Sequence, residues 1–76
     1  MTIESIENIH DLGKLLRIWR KKMGVTQEQA AQLCNVGPRF IGELEKGKPT
    51  AEIGKVLQVL RAYGFRLTLN SRKHQK

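Results

Sequence analysis

Residues 26–47, TQEQAAQLCNVGPRFIGELEKG, decide the fold, because they contain two short helical patterns separated by a tight break. Thr26, followed three residues later by Gln29, is typical of a capping box at a helix N-terminus. Asn35 tolerates the left-handed conformation that a turn requires, and Pro38 suits the first position of the second helix. Helices this short are not stable alone in water, so we expect the pair to pack against other helices.

A further helix is predicted on each side of this pair from apolar residues at helical spacing. The first begins after Asn8 and ends at Gly24, and its predicted buried stripe is Leu12, Leu16, Trp19 and Met23. The last is capped by Thr50 and ends at Gly64, and its predicted buried stripe is Ile53, Val56, Leu57 and Leu60. In the central pair the predicted inward residues are Ala30, Ala31, Leu33, Cys34, Phe40, Ile41 and Leu44.

Residues 65–70, FRLTLN, change period from helical spacing to strict alternation of apolar and polar residues. This pattern predicts a half-buried β-strand. An unpaired strand edge is a liability, and no other strand is evident in the sequence. Two alternatives follow. The strand pairs antiparallel with its copy in a symmetric dimer, or it pairs with the N-terminal segment at residues 2–5.

The net charge of +7 is large for 76 residues and is unevenly distributed. Residues 1–11 carry three acids and no base, giving −3, whereas residues 12–76 carry 14 bases and four acids, giving +10. A small domain this basic indicates a polyanionic partner, with nucleic acid first and an anionic membrane second. The alternative is a basic surface that only keeps the protein soluble.

The hydrophobic fraction, the length of the apolar runs and the cysteine count indicate a globular protein without a membrane span or a disulfide. A hydrophobic fraction of 39% is typical of a globular domain, and no apolar run approaches 18 residues. No charged-then-apolar leader is present, so no membrane span or signal peptide is expected. A single cysteine, Cys34, cannot form an internal disulfide, which fits a reducing cytosol.

The tight break is expected to push the start of the second central helix away from the core. Its outward positions would be Gly37, Pro38, Arg39, Gly42, Glu43 and Lys46. A protruding helix on a basic domain fits the major groove of B-DNA. The sequence therefore predicts that this helix contacts DNA.

The stretch LGKLLRIWRKKMGVTQEQAAQLCNVGPRFIGELEKGKPT resembles the helix-turn-helix of the Xre family, which includes the lambdoid phage repressors. The resemblance covers residues 12–63, and GVTQEQAA and ELEKGKPT are its most specific parts. The ending VLRAYGFRLTL is similar to that of HipB-type antitoxins, which partner HipA-type kinase toxins. The resemblance implies a mainly α, four- to five-helix lambda-repressor-like domain with one C-terminal β-strand, paired across a dimer.

The domain organisation follows from this resemblance and from the patterns above. Residues 1–10 would form an N-terminal arm and the cap of the first helix, and residues 11–64 the helix-turn-helix domain. Residues 65–70 would form the dimerising strand, with an interface made by Phe65, Arg66, Leu67, Thr68 and Leu69. Residues 71–76 would form a disordered basic tail.

The resemblance also implies roles by position. Gln27 matches a phosphate-contacting glutamine, and Arg20 and Glu45 match a buried ion pair that joins the first and third helices. Positions that usually contact base edges are occupied by Pro38, Arg39 and Glu43. The full set of expected DNA-binding residues is Gln27, Gly37, Pro38, Arg39, Phe40, Gly42, Glu43, Lys46 and Lys48.

Three of these residues have competing interpretations. Glu43 either accepts from cytosine N4 or pairs with Arg39 four residues earlier. Gly42 costs about 1 kcal/mol in a helix relative to alanine, which either close approach to DNA or tight packing could explain. Phe40 packs in the core or contacts a thymine methyl group.

Asn35 departs from the family in replacing the more usual turn glycine.

The sequence contains no cluster with metal-ligand spacing, no glycine-rich phosphate loop and no nucleophile motif. We therefore expect no enzyme, no cofactor and no metal. The expected function is a dimeric transcriptional repressor that binds an inverted repeat and autoregulates its operon in a bacterium or phage. The resemblance implies that it is the antitoxin of a HipBA-like pair. A HipA-like kinase toxin would be its protein partner. The alternatives are a stand-alone phage or plasmid repressor, and a protein-interaction module that binds DNA weakly.

Overall fold

The computed structural model describes residues 5–71, which form four α-helices around one small core. The helices are α1 (Ile9–Met23), α2 (Gln27–Cys34), α3 (Pro38–Glu45) and α4 (Ile53–Ala62). α3 packs against both α1 and α2, and α2 also packs against α4. The prediction of a mainly helical fold is confirmed. Within residues 5–71 no helix is long and apolar enough to cross a membrane.

Local capping groups define the ends of α1 and the start of α2. The Asn8 side chain accepts a hydrogen bond from the Asp11 backbone N–H at 2.8 Å, and α1 ends at Gly24 with φ of 74°. Thr26 and Gln29 form the predicted reciprocal capping box, with hydrogen bonds of 2.9 and 3.1 Å. These contacts satisfy backbone donors that a helix end leaves unpaired.

The turn between α2 and α3 occupies residues 35–37. Asn35 adopts φ of 58° in the left-handed region, and Pro38 is the first residue of α3, as predicted. Gln58 of α4 donates to the Cys34 carbonyl at 3.2 Å. Because that carbonyl lies at the C-terminus of α2, the contact ties the turn to α4.

The core is built by all four helices and by the residue that follows α4. Its buried side chains are Leu16, Ala30, Ala31, Cys34, Ile41, Leu44, Val56, Val59, Leu60 and Tyr63. Burial raises the pKa of the Cys34 thiol, so this cysteine stays protonated and packs as a small apolar side chain. Small residues on α2 let α3 cross it closely, because Ala30 and Ala31 are both fully buried.

The predicted buried stripe of α1 is wrong in the C-terminal half of the helix. Trp19 is 36% exposed and Met23 is also exposed, whereas Gly13 and Arg20 are buried beside Leu16. The reason is contact with α3, since Gly13 lies against the backbone carbonyls of Leu44 and Glu45, and Arg20 reaches Glu45. A close helix contact and an ion pair therefore set the rotation of α1.

Three smaller predictions about α2 and α4 are also wrong. Leu33 and Ile53 are exposed, because the buried faces of their helices lie elsewhere. Val59 is fully buried and Tyr63 nearly so, although neither was predicted to be in the core. The residue before α4 is Glu52 and not Thr50, which lies in the preceding turn.

The predicted strand at residues 65–70 is not present as a strand in the described part of the chain. Alternation places side chains on two faces, but a strand also requires a neighbouring backbone, and none runs beside these residues within 5–71. Phe65 is half-buried, and its ring lies 5.2 Å from the Trp19 ring. Its N–H donates to the Leu60 carbonyl at 2.8 Å, which closes the end of α4. The predicted pairing with residues 2–5 and the predicted tail at 71–76 lie almost entirely outside the described residues.

Gly13→Ala tests the contact between α1 and α3. A Cβ at this position would overlap the Leu44 carbonyl oxygen and lie 2.8 Å from that of Glu45, so α1 must move away. We expect a loss of about 1–3 kcal/mol in unfolding free energy, measured by urea denaturation. The matched control is Gly54→Ala in α4, where a Cβ meets nothing within 4 Å. That variant should gain up to about 1 kcal/mol. A Gly13→Ala protein as stable as Gly54→Ala would contradict the close contact.

Candidate nucleic-acid interface

The first turn of α3 is exposed to solvent at the point where the α2–α3 turn ends. Gly37, Pro38 and Arg39 are all exposed, and the Arg39 side chain is 90% exposed. By contrast, Ile41 and Leu44 on the opposite face of α3 are buried. The helix therefore presents one face to solvent while the other is held in the core.

A buried ion pair attaches the end of α3 to α1. Arg20 Nε donates to Glu45 Oε2 at 2.6 Å and Arg20 Nη2 donates to Glu45 Oε1 at 3.1 Å. The Arg20 and Glu45 side chains are only 9% and 4% exposed. The hydrogen bond from Arg20 to Glu45 raises the pKa of Arg20, and the remaining Arg20 nitrogen donates to the Val25 carbonyl at 2.8 Å. This bidentate geometry fixes both position and orientation of the two helices.

Gln27, the first residue of α2, belongs to the same network. Its side-chain amide donates to Glu45 Oε1 at 3.1 Å. The structure therefore places the predicted phosphate-contacting residue next to the ion pair, at a helix N-terminus. A Cβ on Gly42 would lie 3.4 Å from Gln27 Oε1, which is a contact with a flexible side chain. Tight packing is consequently a weak reason for glycine at position 42.

Glu43 is held by two cations on the exposed side of α3. It accepts from Arg39 Nε at 3.1 Å, four residues earlier, and from Lys48 Nζ at 3.2 Å. The hydrogen bond from Lys48, followed by that from Arg39, lowers the pKa of Glu43. Of the two interpretations drawn from the sequence, pairing with Arg39 is the one that the structure contains.

Phe40 on α3 is half-buried, whereas Lys46, which follows α3, is exposed. Phe40 is half-buried against the core, and the Lys55 ammonium lies 5.9 Å from the centre of its ring. This position favours a packing role over contact with a thymine methyl group. Lys46 is exposed just after the last residue of α3.

A recess beside this interface was not predicted from the sequence. It has a volume of about 350 Å³ and lies between α1, the start of α2 and the end of α3. We call it the basic recess, and its lining residues are Arg17, Arg20, Lys21, Gln27, Gly42, Glu45 and Lys46. Arg17 and Lys21 lie four residues apart on α1 and flank Arg20 in the sequence. This spacing of three basic residues is the sequence pattern that could have predicted the recess.

An apolar groove of about 560 Å³ lies on another part of the surface, between α1, α4 and the segment after α4. Its lining residues are Ile6, Leu12, Leu15, Ile18, Trp19, Lys22, Leu60, Phe65, Arg66 and Leu67. Of the predicted dimer residues, Phe65, Arg66 and Leu67 therefore border the groove. Leu67 and Leu69 are 57% and 88% exposed.

Tyr63 has a buried hydroxyl without a hydrogen-bond partner among residues 5–71. Burial, followed by the nearby Cys34 and Glu45, raises the pKa of Tyr63 to about 12. The phenol is therefore neutral near pH 7 and adds no charge beside the ion pair. Among the described residues, no group of three or more His, Cys, Asp or Glu side chains could hold a metal ion.

The arrangement of α2, turn and exposed α3 defines a helix-turn-helix protein. The sequence pattern of the family described as "Helix-turn-helix domain" matches residues 11–70. The chain belongs to this family. A Sinorhizobium fredii protein described as an uncharacterized HTH-type transcriptional regulator, y4mF, is 56% identical over 54 residues, which cover 71% of each protein.

Solved structures of HipB share the fold. A HipB–O4 20mer complex has a TM-score of 0.82 and 18% identity, and the match covers 93% of this chain and 100% of that chain. A HipA–HipB–O2–O3 complex matches with the same values. The predicted resemblance to an Xre-like helix-turn-helix regulator is confirmed, and the likeness to HipB is one of fold.

Proposed function

We propose that this chain is a dimeric, sequence-specific DNA-binding repressor that contacts base edges with the exposed face of α3. The observation that carries the proposal is the presentation of Arg39. Its side chain is 90% exposed at the start of α3, while the buried Arg20–Glu45 pair holds the end of the same helix. A rigidly held helix with an exposed arginine suits bidentate contact with guanine O6 and N7.

A symmetric dimer would give the protein two such helices. One helix covers too few base pairs to be specific in a genome, and two on a two-fold axis would bind an inverted repeat. The apolar groove and the exposed Leu67 and Leu69 support residues 65–70 as the dimer contact, since this segment carries apolar side chains that the described part of the chain leaves in solvent. In the dimer, the two segments would pair as antiparallel strands.

The biological role that we propose is that of an antitoxin which represses its own operon. The support is the fold, because the chain covers the full length of the HipB chains, one of which was solved together with HipA. Co-purification of this chain with a HipA-like kinase encoded by a neighbouring gene would test the role. A gene with no such neighbour would instead favour a stand-alone repressor.

Selection from a random double-stranded DNA library tests the proposed DNA binding. We expect the parent protein to enrich one inverted repeat and to bind it far more tightly than a scrambled duplex. Enrichment of no sequence would contradict the proposal and favour a protein-interaction module.

Arg39→Ala then tests the placement of α3. It should lose about 1–3 kcal/mol of binding free energy for each half-site of the selected repeat and relax preference at one base position in each half-site. Arg61→Ala removes the same charge from an exposed position on α4, so it serves as the matched control. It should weaken binding only slightly and equally on all sequences. Parent-like affinity and preference in Arg39→Ala would show that α3 does not contact bases through this residue.

A further inference from the structure

The charge on α3 is the starting point, because this helix brings no net positive charge to DNA. Within Pro38–Glu45, Arg39 is the one base and Glu43 and Glu45 are the two acids, which gives a net charge of −1. Arg39 is moreover paired with Glu43. DNA affinity depends mainly on cations that neutralise phosphates. A protein that uses α3 to contact bases must therefore supply phosphate-binding cations from other elements.

α1 has the charge that α3 lacks. Ile9–Met23 contains five bases and one acid, for a net charge of +4. The charge of Arg20 is neutralised by its buried ion pair with Glu45, so Arg20 adds no free cation. Arg17 and Lys21, which flank it, are exposed and line the basic recess together with Lys46 from the end of α3. No ion pair involving these three cations occurs among residues 5–71.

The buried Arg20–Glu45 pair explains why Arg17 and Lys21 both line the basic recess. Residues four apart lie on the same face of a helix, so Arg17 and Lys21 are neighbours on α1. Because Arg20 is turned inward to Glu45, it fixes the rotation of α1 about its axis and directs that face to the recess. Glu45 is the one carboxylate in the lining, and Arg20 neutralises it. The remaining net charge of the recess is thus positive.

The recess also adjoins the elements that would contact bases. Gln27 at the start of α2 and Gly42 on α3 are part of its lining. Position 42 carries no side chain, and the atoms nearest to it belong to the flexible side chain of Gln27. A duplex with its major groove on α3 would bring a backbone strand past this edge of the helix.

We propose that Arg17, Lys21 and Lys46 form a phosphate-binding site for the DNA strand that borders α3. This inference rests on the proposed DNA binding and adds the residues that supply its electrostatic part. Arg39 gives preference among bases, whereas the recess cations give affinity that is the same for every sequence. The two groups of residues should consequently have different signatures in solution.

The test is the salt dependence of binding by the full chain, measured on the selected inverted repeat and on a scrambled duplex. Each phosphate contact contributes about −0.9 to the slope of log K against log salt. Each substitution removes one contact from each half of the proposed dimer. Arg17→Gln and Lys21→Gln should therefore each make the slope less negative by about 1.8, and the double variant by about 3.6. Both duplexes should lose affinity by the same factor, so the ratio between them stays at the parent value.

Two control variants make the result specific. Lys14→Gln removes one charge from an exposed position of the same helix that lies outside the recess, and it should change the slope much less. Lys21→Arg keeps the charge and should retain the parent slope. Thermal melts of every variant check the fold, and these substitutions at exposed side chains should leave the melting temperature unchanged.

Several results would overturn the inference. A parent-like slope in the Arg17→Gln/Lys21→Gln variant, with binding to the repeat intact, would show that the recess holds no phosphate while the proposed function stands. An equal change in Lys14→Gln would show a diffuse effect of net charge. A parent protein that binds neither duplex would instead refute the proposed function itself.

Discussion

Arg20→Met is expected to lower the free energy of unfolding by about 3–5 kcal/mol, because it leaves Glu45 as a buried charge without its cation. Glu45 is 4% exposed, and the two hydrogen bonds from Arg20 would be replaced by none. Gln27 would remain as its one donor in the network, and a neutral amide cannot balance a carboxylate. The Val25 carbonyl would lose its hydrogen bond from Arg20 as well.

Urea denaturation measures this loss, and two further variants interpret it. Arg20→Met combined with Glu45→Leu removes both charges and should recover much of the stability, since an apolar pair avoids the cost of burying ions. Arg39→Met breaks an exposed pair of the same chemistry and should cost no more than about 0.5 kcal/mol. Equal stability of Arg20→Met and the parent would mean that the pair does not hold α1 and α3 together.

Leu67→Asp is expected to convert the proposed dimer to a monomer and to reduce operator affinity to the non-specific level. Specific binding typically exceeds non-specific binding by at least about 10³-fold, so the loss should be of this order. The physical reason is the introduction of a charge into an apolar contact, because Leu67 borders the groove and is more than half exposed in the single chain. Two half-sites about 34 Å apart could then no longer be bound by one assembly.

Analytical ultracentrifugation is the deciding measurement for Leu67→Asp, with DNA binding as the second readout. Asn70→Asp adds the same negative charge to an exposed position of the same segment, and it corrects for repulsion from DNA. It should remain dimeric. If Leu67→Asp sediments as a dimer as tight as the parent, the segment at residues 65–70 is not the dimer interface.

The sequence by itself determined both ends of α1 and α2 and the start of α3. The Asn8 cap, the Thr26–Gln29 capping box and the left-handed Asn35 all occur as predicted, and so does Pro38 at the start of α3. Each of these features depends on hydrogen bonds or dihedral angles within about four residues, which a short stretch of sequence fully specifies. The mainly helical class of the fold was predictable as well, because it follows from the helical spacing of apolar residues and not from the angles at which the helices pack.

Only the tertiary structure decided which side of each helix is buried. An apolar stripe suggested that Trp19 and Met23 face the core, but Gly13 and Arg20 do so instead. Helical spacing limits the choice of face to a broad arc, and the contact with α3 selects within it. In the same way, alternation at residues 65–70 gave the two faces of an extended segment but could not supply the neighbouring strand.

In the candidate site, too, contacts within one helix could be predicted from the sequence, whereas contacts between elements could not. Arg39 and Glu43 lie four residues apart, so their pairing was one of two outcomes foreseen from the sequence. The contact from Gln27 to Glu45, the second cation on Glu43 and the basic recess were not foreseen, because they join residues of different elements. Such contacts depend on the angles at which α1, α2 and α3 pack, and these angles are set by the buried faces and by the Arg20–Glu45 pair together.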